Sequence, residues 1–328
     1  MKGGAGIIGC GYHVPEGRLT NKELSVRFGL PESCIESKAG IKERRIAPPG
    51  SASSDLGAAA ARKALKNAGV RSEDIGLVLV ATTTPDMVFP STACFVQKAI
   101  GAKNAAALDI SAACAGFAYG LDIAACYVSC GRHENVLLVG AETYSRITNP
   151  DDLNTSVLFG DGAGAAVIGK VPEGFGVLDS FVGADGHLGG TLCVPAGGSW
   201  LPLTPELLER RQNTIMMDGR EVFTFAVNIL ENMIGCMLKR NSLSLDDISL
   251  IVPHQANKRI LQNVCRNMNI PDEKMYCNLE NYGNMSAASI PVALAQSAEE
   301  GRIKKGCLVL LAAFGAGFTW GASLLRWS

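Results

Sequence analysis

Short, wholly apolar runs alternate along the chain with longer stretches whose apolar positions recur every three to four residues. Ile75–Ala81 (IGLVLVA), Val136–Gly140 (VLLVG) and Ala163–Ile168 lack polar alternation, which predicts strands buried on both faces. Ser54–Ala68 and Ser91–Ile100 carry helical spacing. A strand ending near Ile110 and a helix from about Cys114 toward Val128 follow the same logic. In the second half, Glu221–Arg240, Lys258–Met268 and Ser286–Glu300 read as helices. Ile248–Pro253, Cys307–Ala313 and Gly321–Trp327 read as strands. This alternation predicts an α/β fold.

The two halves match in order. Asp74–Val80 (DIGLVLV) has a counterpart in Asp247–Pro253 (DISLIVP), 173 residues later. Val136–Gly140 has one in Leu308–Ala312, 172 residues later. So constant an offset predicts one α/β unit duplicated, at a period far longer than that of solenoid repeats. The expected division falls at Val171-Pro172-Glu173-Gly174, giving halves of 1–172 and 173–328. Residues 185–220, polar and irregular with Gly189-Gly190 and Gly197-Gly198, read as an inserted cap or loop.

Composition narrows the classes. The 328 residues are 47% hydrophobic and 19% charged, too apolar for a disordered chain. The formal charge of −1, with no Lys/Arg cluster, argues against nucleic acid as a partner. Thirty-seven glycines imply tight turns, close helix–strand packing or backbone groups offered to a ligand. Eleven cysteines, some in apolar runs such as those around Cys94 and Cys307, read as reduced, buried thiols of a cytoplasmic protein. Met1–Gly9 is too short an apolar run for a signal peptide. No stretch of ~18 residues escapes Gly breaks or charges, so no membrane span is expected.

Four segments stand out as candidate chemistry. In Asp109–Phe117 (DISAACAGF), Cys114 falls where a strand gives way to a helix. Free N–H groups and the dipole at a helix start favour a thiolate, and the small neighbours leave room for a substrate. The alternative is a packed structural cysteine. His254, in Val252–Asn257 (VPHQAN), sits at a strand's C-terminal edge, where open α/β sheets place ligands; otherwise it is a hydrogen-bonded strand-end histidine. Asn281–Ser289 (NYGNMSAAS) is a turn into a helix of small residues, or a plain capped turn. Ala313–Gly321 (AFGAGFTWG) aims glycine-flanked N–H groups at an oxyanion, or is a tight hairpin. Gly9-Cys10-Gly11 lacks the third glycine of a dinucleotide fingerprint. Cys126, Cys130 and His133 read as a packed helix face rather than a metal set.

Taken together, ACAGF, HQAN, NYGNMSAASIP and FGAGFTWG resemble the ketoacyl-ACP synthase III branch of the thiolase superfamily, in its order and spacing. The likeness extends to Gly40–Arg44 (GIKER) and Phe159–Ala165 (FGDGAGA), and so to essentially the whole chain. It implies a thiolase-like duplicated fold of five layers, αβαβα, in a homodimer without cofactor or metal. It implies an acyltransferase: Cys114 accepts an acyl group from a primer on CoA or acyl carrier protein. His254 and Asn284 then hold the thioester carbonyl of malonyl-ACP as CO₂ departs, and the carbanion attacks acyl-Cys114. The 3-oxoacyl-ACP formed begins fatty acid synthesis. Backbone N–H groups of Cys114 and Ala316 would make the oxyanion hole.

The resemblance also implies lesser sites. Phe89 would reach across the dimer to shape the acyl pocket. Ile215, Met217, Gly219, Phe223, Ala256, Asn257 and Phe314 would line the pocket and pantetheine tunnel. Lys258, Arg259 and Arg266 would meet the acidic carrier protein. The chain departs from the family where Cys34, Lys38, Leu153 and Thr224 replace a Trp, two Arg and a Lys of the usual CoA site. Loss of an aromatic–guanidinium clamp, worth ~1 kcal/mol or more, predicts weaker use of CoA primers or a different primer carrier. Two alternatives stay open: a sister condensing enzyme of polyketide or other secondary metabolism, and a non-catalytic partner subunit. A hydroxymethylglutaryl synthase would need a Glu base, for which the sequence offers no clear candidate.

Overall fold

The computed structural model describes residues 4–328. Strands β1 (Gly4–His13), β2 (Leu77–Ala81), β3 (Ala106–Ile110), β4 (Val136–Thr143) and β5 (Asp161–Val171) form one sheet, in the order β1-β5-β4-β2-β3. Strands β6 (Gly176–Ala184), β7 (Leu250–Pro253), β8 (Leu308–Gly315) and β9 (Thr319–Arg326) form a second, in the order β7-β8-β9-β6. The succession β2-β4-β5-β1 is that of β7-β8-β9-β6: one parallel pair, then two antiparallel pairs. Leu77 lies opposite Val136, and Leu250 opposite Val309, so each partner recurs 173 residues on. The chain passes from one sheet to the other through the turn after Val171, where Gly174 adopts φ 82°.

Helices α1 (Ser53–Ala68), α2 (Thr92–Ile100), α3 (Gly116–Ser129), α4 (Gly219–Arg240), α5 (Lys258–Met268) and α6 (Ser289–Glu299) cover these sheets. Every residue of β2 and β4 is buried, because both sheet faces are covered. Strand alternation sorts the side chains into layers. Val78, Val80, Leu137 and Val139 point outward and pack under α1 and α2. Leu79 and Leu138 point inward, where Phe117 and Leu121 of α3 and Ile290 and Leu294 of α6 separate them from Val252 and Leu311 of the second sheet. Ile251, Leu310 and Leu324 pack outward under α4 and α5. The result is the five-layered αβαβα fold. Among the described residues only α4 is long and apolar enough to cross a bilayer. Its Ala226, Leu230, Met233, Ile234 and Met237 are spent instead on the second sheet.

Some expectations need adjusting. Segment 185–220 is not structureless: Leu192–Cys193 pairs with Met216–Met217, and Pro205–Glu209 is a short helix capped by Thr204. Ser286–Ala288 is a separate 3₁₀ turn before α6. The helices Asn21–Phe28 and Glu32–Ala39 and strand β6 carry too little apolar patterning to stand out in the sequence. The cysteines differ most. Only Cys10, Cys114 and Cys265 are buried, and Cys94, expected inside, is exposed. Helix α2 buries Ala93, Val96 and Ile100, and Cys94 stands on its other face. Cys307 is only partly covered.

Candidate active site

Helix α3 opens on a 3₁₀ turn, Ala113–Ala115, with Ala113 at φ 45°. That left-handed kink costs energy in a residue bearing a Cβ, so its surroundings must impose it. The β8–β9 turn does so. Thr319 Oγ1 shares its one hydrogen between the Ala112 carbonyl at 2.8 Å and the Ala316 carbonyl at 3.1 Å. Gly315 lies so close that a Cβ there would stand 2.6 Å from the Cys114 nitrogen. The nucleophile candidate and the glycine loop are thus locked together. Gly116 has a different task from that expected: it makes no substrate space, but lets Ala81 and Ala287 close within 3.0 and 3.4 Å of where its Cβ would be.

His254 follows the last residue of β7, and its N–H donates to the Ala312 carbonyl at 2.8 Å. The ring is fully enclosed, edge-on to Phe314 at 5.3 Å. Burial pulls its pKa down to about 3, so the ring is neutral near pH 7. Nδ1 is buried without a hydrogen-bond partner. A stranded N–H costs more than a stranded lone pair, so the proton belongs on Nε2.

Asn284 is set by Gly283, whose φ of 74° leaves no room for a side chain beside the Leu158 carbonyl. Backbone bonds to Leu158 and Gly160 pin it, and its Oδ1 accepts from the Ser286 N–H at 2.8 Å. With the oxygen engaged, the amide NH₂ is the end left to donate.

Cys114, His254 and Asn284 meet in one cavity of about 270 Å³. Phe314 and Ala316 line it beside them. Ile215, Met217 and Gly219 enter from the 185–220 segment, and Phe223, Ala256 and Asn257 from the starts of α4 and α5. The lining runs from exposed Gly219 to the three buried polar groups, with little else polar between. Asn257 is less available than expected: its Oδ1 caps α5 through Arg259 N, and its Nδ2 donates to the Lys38 carbonyl. One electrostatic expectation is reversed. Burial pushes the Cys114 thiol up to about 12, and the nearby Glu142 carboxylate adds to the rise. In this closed pocket desolvation outweighs the helix start.

Other predicted positions lie outside the cavity. Phe89 is 81% exposed, beside exposed Met87 and Val88. Arg259 sits over the Phe223 ring at 5.9 Å, at the cavity's outer end, and Arg266 is exposed on the same helix. Lys258 turns aside, against Gly40 and within 4.0 Å of Glu280. Thr224 bonds back to the Arg220 carbonyl, Leu153 packs against Leu24, Ile35 and Val157, and Cys34 and Lys38 lie on Glu32–Ala39. Sequence reasoning missed Thr83 and Tyr144, which line the cavity, and the fully buried Glu142 and Ser286 behind it. The signal was an acidic residue closing the apolar run VLLVGAE. Glu142 does not line the cavity, so it is no general base for a bound substrate. Among the described residues no group of three or more His, Cys, Asp or Glu is placed to hold a metal ion.

Residues 108–186 match the family described as 3-oxoacyl-[acyl-carrier-protein] synthase III, and residues 238–327 match its C-terminal part. The beta-ketoacyl-[acyl-carrier-protein] synthase III of Caldanaerobacter subterraneus subsp. tengcongensis is 49% identical over 324 residues, covering 99% of this chain and 98% of that protein. The chain belongs to the 3-oxoacyl-ACP synthase III family. The synthase III of Clostridioides difficile is 50% identical with the same coverage. The crystal structure of the synthase III from Aquifex aeolicus superposes with a TM-score of 0.91 at 40% identity, covering 99% of this chain and all of that one. The synthase III match takes in Cys114 in its first part, and His254 and Asn284 in its second.

Proposed function

We propose that this synthase III works through Cys114, His254 and Asn284. Cys114 takes the acyl group of a primer thioester, splitting one difficult condensation into two easier steps. Cys114 and Ala316 N–H groups receive the oxyanion, held to each other by the Gly315 contact. His254 Nε2–H and the Asn284 amide then donate to the thioester carbonyl of malonyl-ACP, stabilising the enolate as CO₂ leaves. The enolate attacks acyl-Cys114 and releases 3-oxoacyl-ACP, the first step of fatty acid synthesis. The observation that carries this reading is the burial of all three groups in one apolar cavity, with a neutral His. A protonated His would draw the malonyl carboxylate toward itself and oppose its loss as CO₂; a neutral donor does not.

The halves 1–172 and 173–328 act as the two arms of this site: the first supplies the nucleophile, the second the enolate donors. Arg259 and Arg266 form the carrier-protein contact, since both are exposed and Arg259 marks the cavity's outer end. Met87, Val88 and Phe89 form the homodimer contact, because so apolar an exposed loop calls for cover. The altered positions 34, 38, 153 and 224 favour weaker use of CoA primers, or a primer carrier recognised without adenine stacking. Eleven free thiols suit the cytoplasm. The test is malonyl-ACP with a panel of acyl-CoA and acyl-ACP primers, products read by mass spectrometry. The reading requires 3-oxoacyl-ACP from at least one primer and none from Cys114→Ala; no product from any primer contradicts it.

A further inference from the structure

Resting on that reading, the setting of Asn284 leaves one buried charge to explain. Arg44, which closes the GIKER run, is the largest side chain without exposed surface among the described residues. Burial pulls its pKa down to about 10, still above neutral, so the guanidinium stays charged. The bonds it makes go to neutral oxygens. Nε donates to the Val157 carbonyl at 2.8 Å, Nη2 donates to the same carbonyl, and Nη1 donates to Asn21 Oδ1. A buried cation held by neutral oxygens is costly and calls for a reason.

The backbone around it supplies one. Arg44 lies on the short strand Glu43–Ile46, which pairs with Gly17–Thr20. Main chain on either side of it holds the segment that leads to Asn284. The Lys42 N–H donates to the Glu280 carbonyl at 2.8 Å, and the Arg45 N–H to the Tyr282 carbonyl at 3.4 Å. Arg45 Nε adds a bond to the Asn281 carbonyl at 3.2 Å. The Arg44 side chain reaches Val157 instead. That residue ends the one-turn helix Leu153–Ser156, where carbonyls lack helical partners. The next carbonyl, of Leu158, accepts the Asn284 N–H at 2.8 Å, and the Gly160 N–H donates to the Asn284 carbonyl at 3.0 Å.

Asn284 therefore spans a gap between residues 157–160 and 280–282, and Arg44 joins the two sides. The gap is tight. A Cβ on Gly283 would stand 2.8 Å from the Leu158 oxygen and 3.0 Å from Arg44 Cγ. Asn21 steadies the guanidinium in turn, its Nδ2 donating to the Ile41 carbonyl at 2.8 Å.

We propose that Arg44 is a positioning residue for Asn284: its forked guanidinium fixes the spacing between residues 157–160 and 280–282, and so the point at which the Asn284 amide meets the malonyl thioester carbonyl. Arg44 does not line the cavity. The nucleophile has its own lock, through Gly315 and Thr319, in which Arg44 takes no part. Arg44 thus acts on the decarboxylating condensation and not on uptake of the primer. Lysine cannot replace it, because an ammonium lacks the planar fork that gives two N–H groups to Val157 and a third to Asn21.

The test separates the two half-reactions at single turnover, by intact mass, with the primer that gives most product in the panel above. Acylation of Cys114 is followed with primer alone, and discharge after the acyl-enzyme is mixed with malonyl-ACP. Arg44→Met keeps the stem that packs on Gly283 and removes the fork. It should slow discharge about tenfold, short of the about 10²-fold cost of a 1 Å misplacement, and leave acylation within about twofold. In the Asn284→Ala background the same substitution should change discharge by less than about twofold, because no amide remains to be positioned. Circular dichroism confirms folding, and Arg44→Lys, with the same split expected, replaces a variant that fails to fold. Equal slowing of both half-reactions overturns the positioning role alone. So does discharge within about threefold of wild type, or a loss that persists in full on Asn284→Ala. Wild type that no primer acylates at Cys114, or Asn284→Ala that discharges at the wild-type rate, overturns the proposed function with it.

Discussion

Replacing Gly315 with alanine tests the contact that joins the glycine loop to the nucleophile. A Cβ at 315 would stand 2.6 Å from the Cys114 nitrogen, 3.0 Å from the Ala115 nitrogen and 3.2 Å from the Ala113 Cβ. Ordinary contact begins at 3.4 Å, so the backbones must part by about 0.8 Å. Nothing there is a flexible side-chain end, and the Thr319 hydroxyl resists the movement by tying both segments. The displaced groups are the two proposed oxyanion donors. A 1 Å error in a catalytic geometry costs about 10²-fold, and loss of one oxyanion donor about 10²–10³-fold. Gly315→Ala should therefore lower kcat for 3-oxoacyl-ACP formation by about 100-fold. Overpacking should cost about 1–3 kcal/mol of stability, which a denaturant melt will register without loss of the fold. The assay is steady-state condensation with a saturating primer, with acyl-enzyme formation followed separately by intact mass. A variant within threefold of wild type in kcat would refute the idea that this contact sets the oxyanion site.

His254→Ala should retain acyl transfer to Cys114 but lose malonyl-ACP decarboxylation by about 10²–10³-fold; equal losses in both half-reactions would contradict the division of roles. Because burial holds His254 down to about 3, decarboxylation should show no inflection near pH 6.5, and a drop on acidifying through pH 6.5 that is absent from His254→Ala would contradict a neutral donor. Reversing charge at Arg259 and Arg266 to Glu should raise KM for malonyl-ACP about tenfold at low salt and flatten its ionic-strength dependence. Phe89→Asp should shift the protein toward monomer in sedimentation velocity, and an unchanged mass would remove that loop from the interface. Replacing acyl-CoA by the matching acyl-phosphopantetheine should raise KM by less than about fivefold, the equivalent of ~1 kcal/mol of lost stacking; a tenfold rise would show that adenine is still held.

What the sequence revealed, and what it hid, divides along physical lines. The core strands were legible because both faces are covered, so VLLVG and IGLVLVA have no polar alternation to blur them. The duplication was legible because equivalent strands recur with one offset, and the ladder registers keep the 173-residue spacing. The position of Cys114 at a helix start was also legible. Its acidity was not, because burial depends on what closes over the site, and Phe314, Gly315 and Asn284 come from the far half of the chain. The outward-facing cysteines were misjudged for a related reason. An apolar run shows that a helix packs, whereas the face on which Cys94 lies depends on phase. Hydrogen bonds among Glu142, Thr83, Tyr144 and Ser286 join residues up to 203 positions apart, through hydroxyls with no motif of their own. Only the odd placement of an acid in an apolar run hinted at them.

The central claim is that Cys114 carries the acyl group between primer and malonyl-ACP. It is tested most directly by peptide-resolved mass spectrometry of one turnover. Protein mixed with primer alone should show an acyl adduct on the peptide containing Cys114. None should appear on the exposed cysteines at 34, 94, 126, 130, 236 or 277. Malonyl-ACP should then discharge that adduct in step with the appearance of 3-oxoacyl-ACP. An adduct at another cysteine, or 3-oxoacyl-ACP formed by Cys114→Ala at the wild-type rate, would contradict the account.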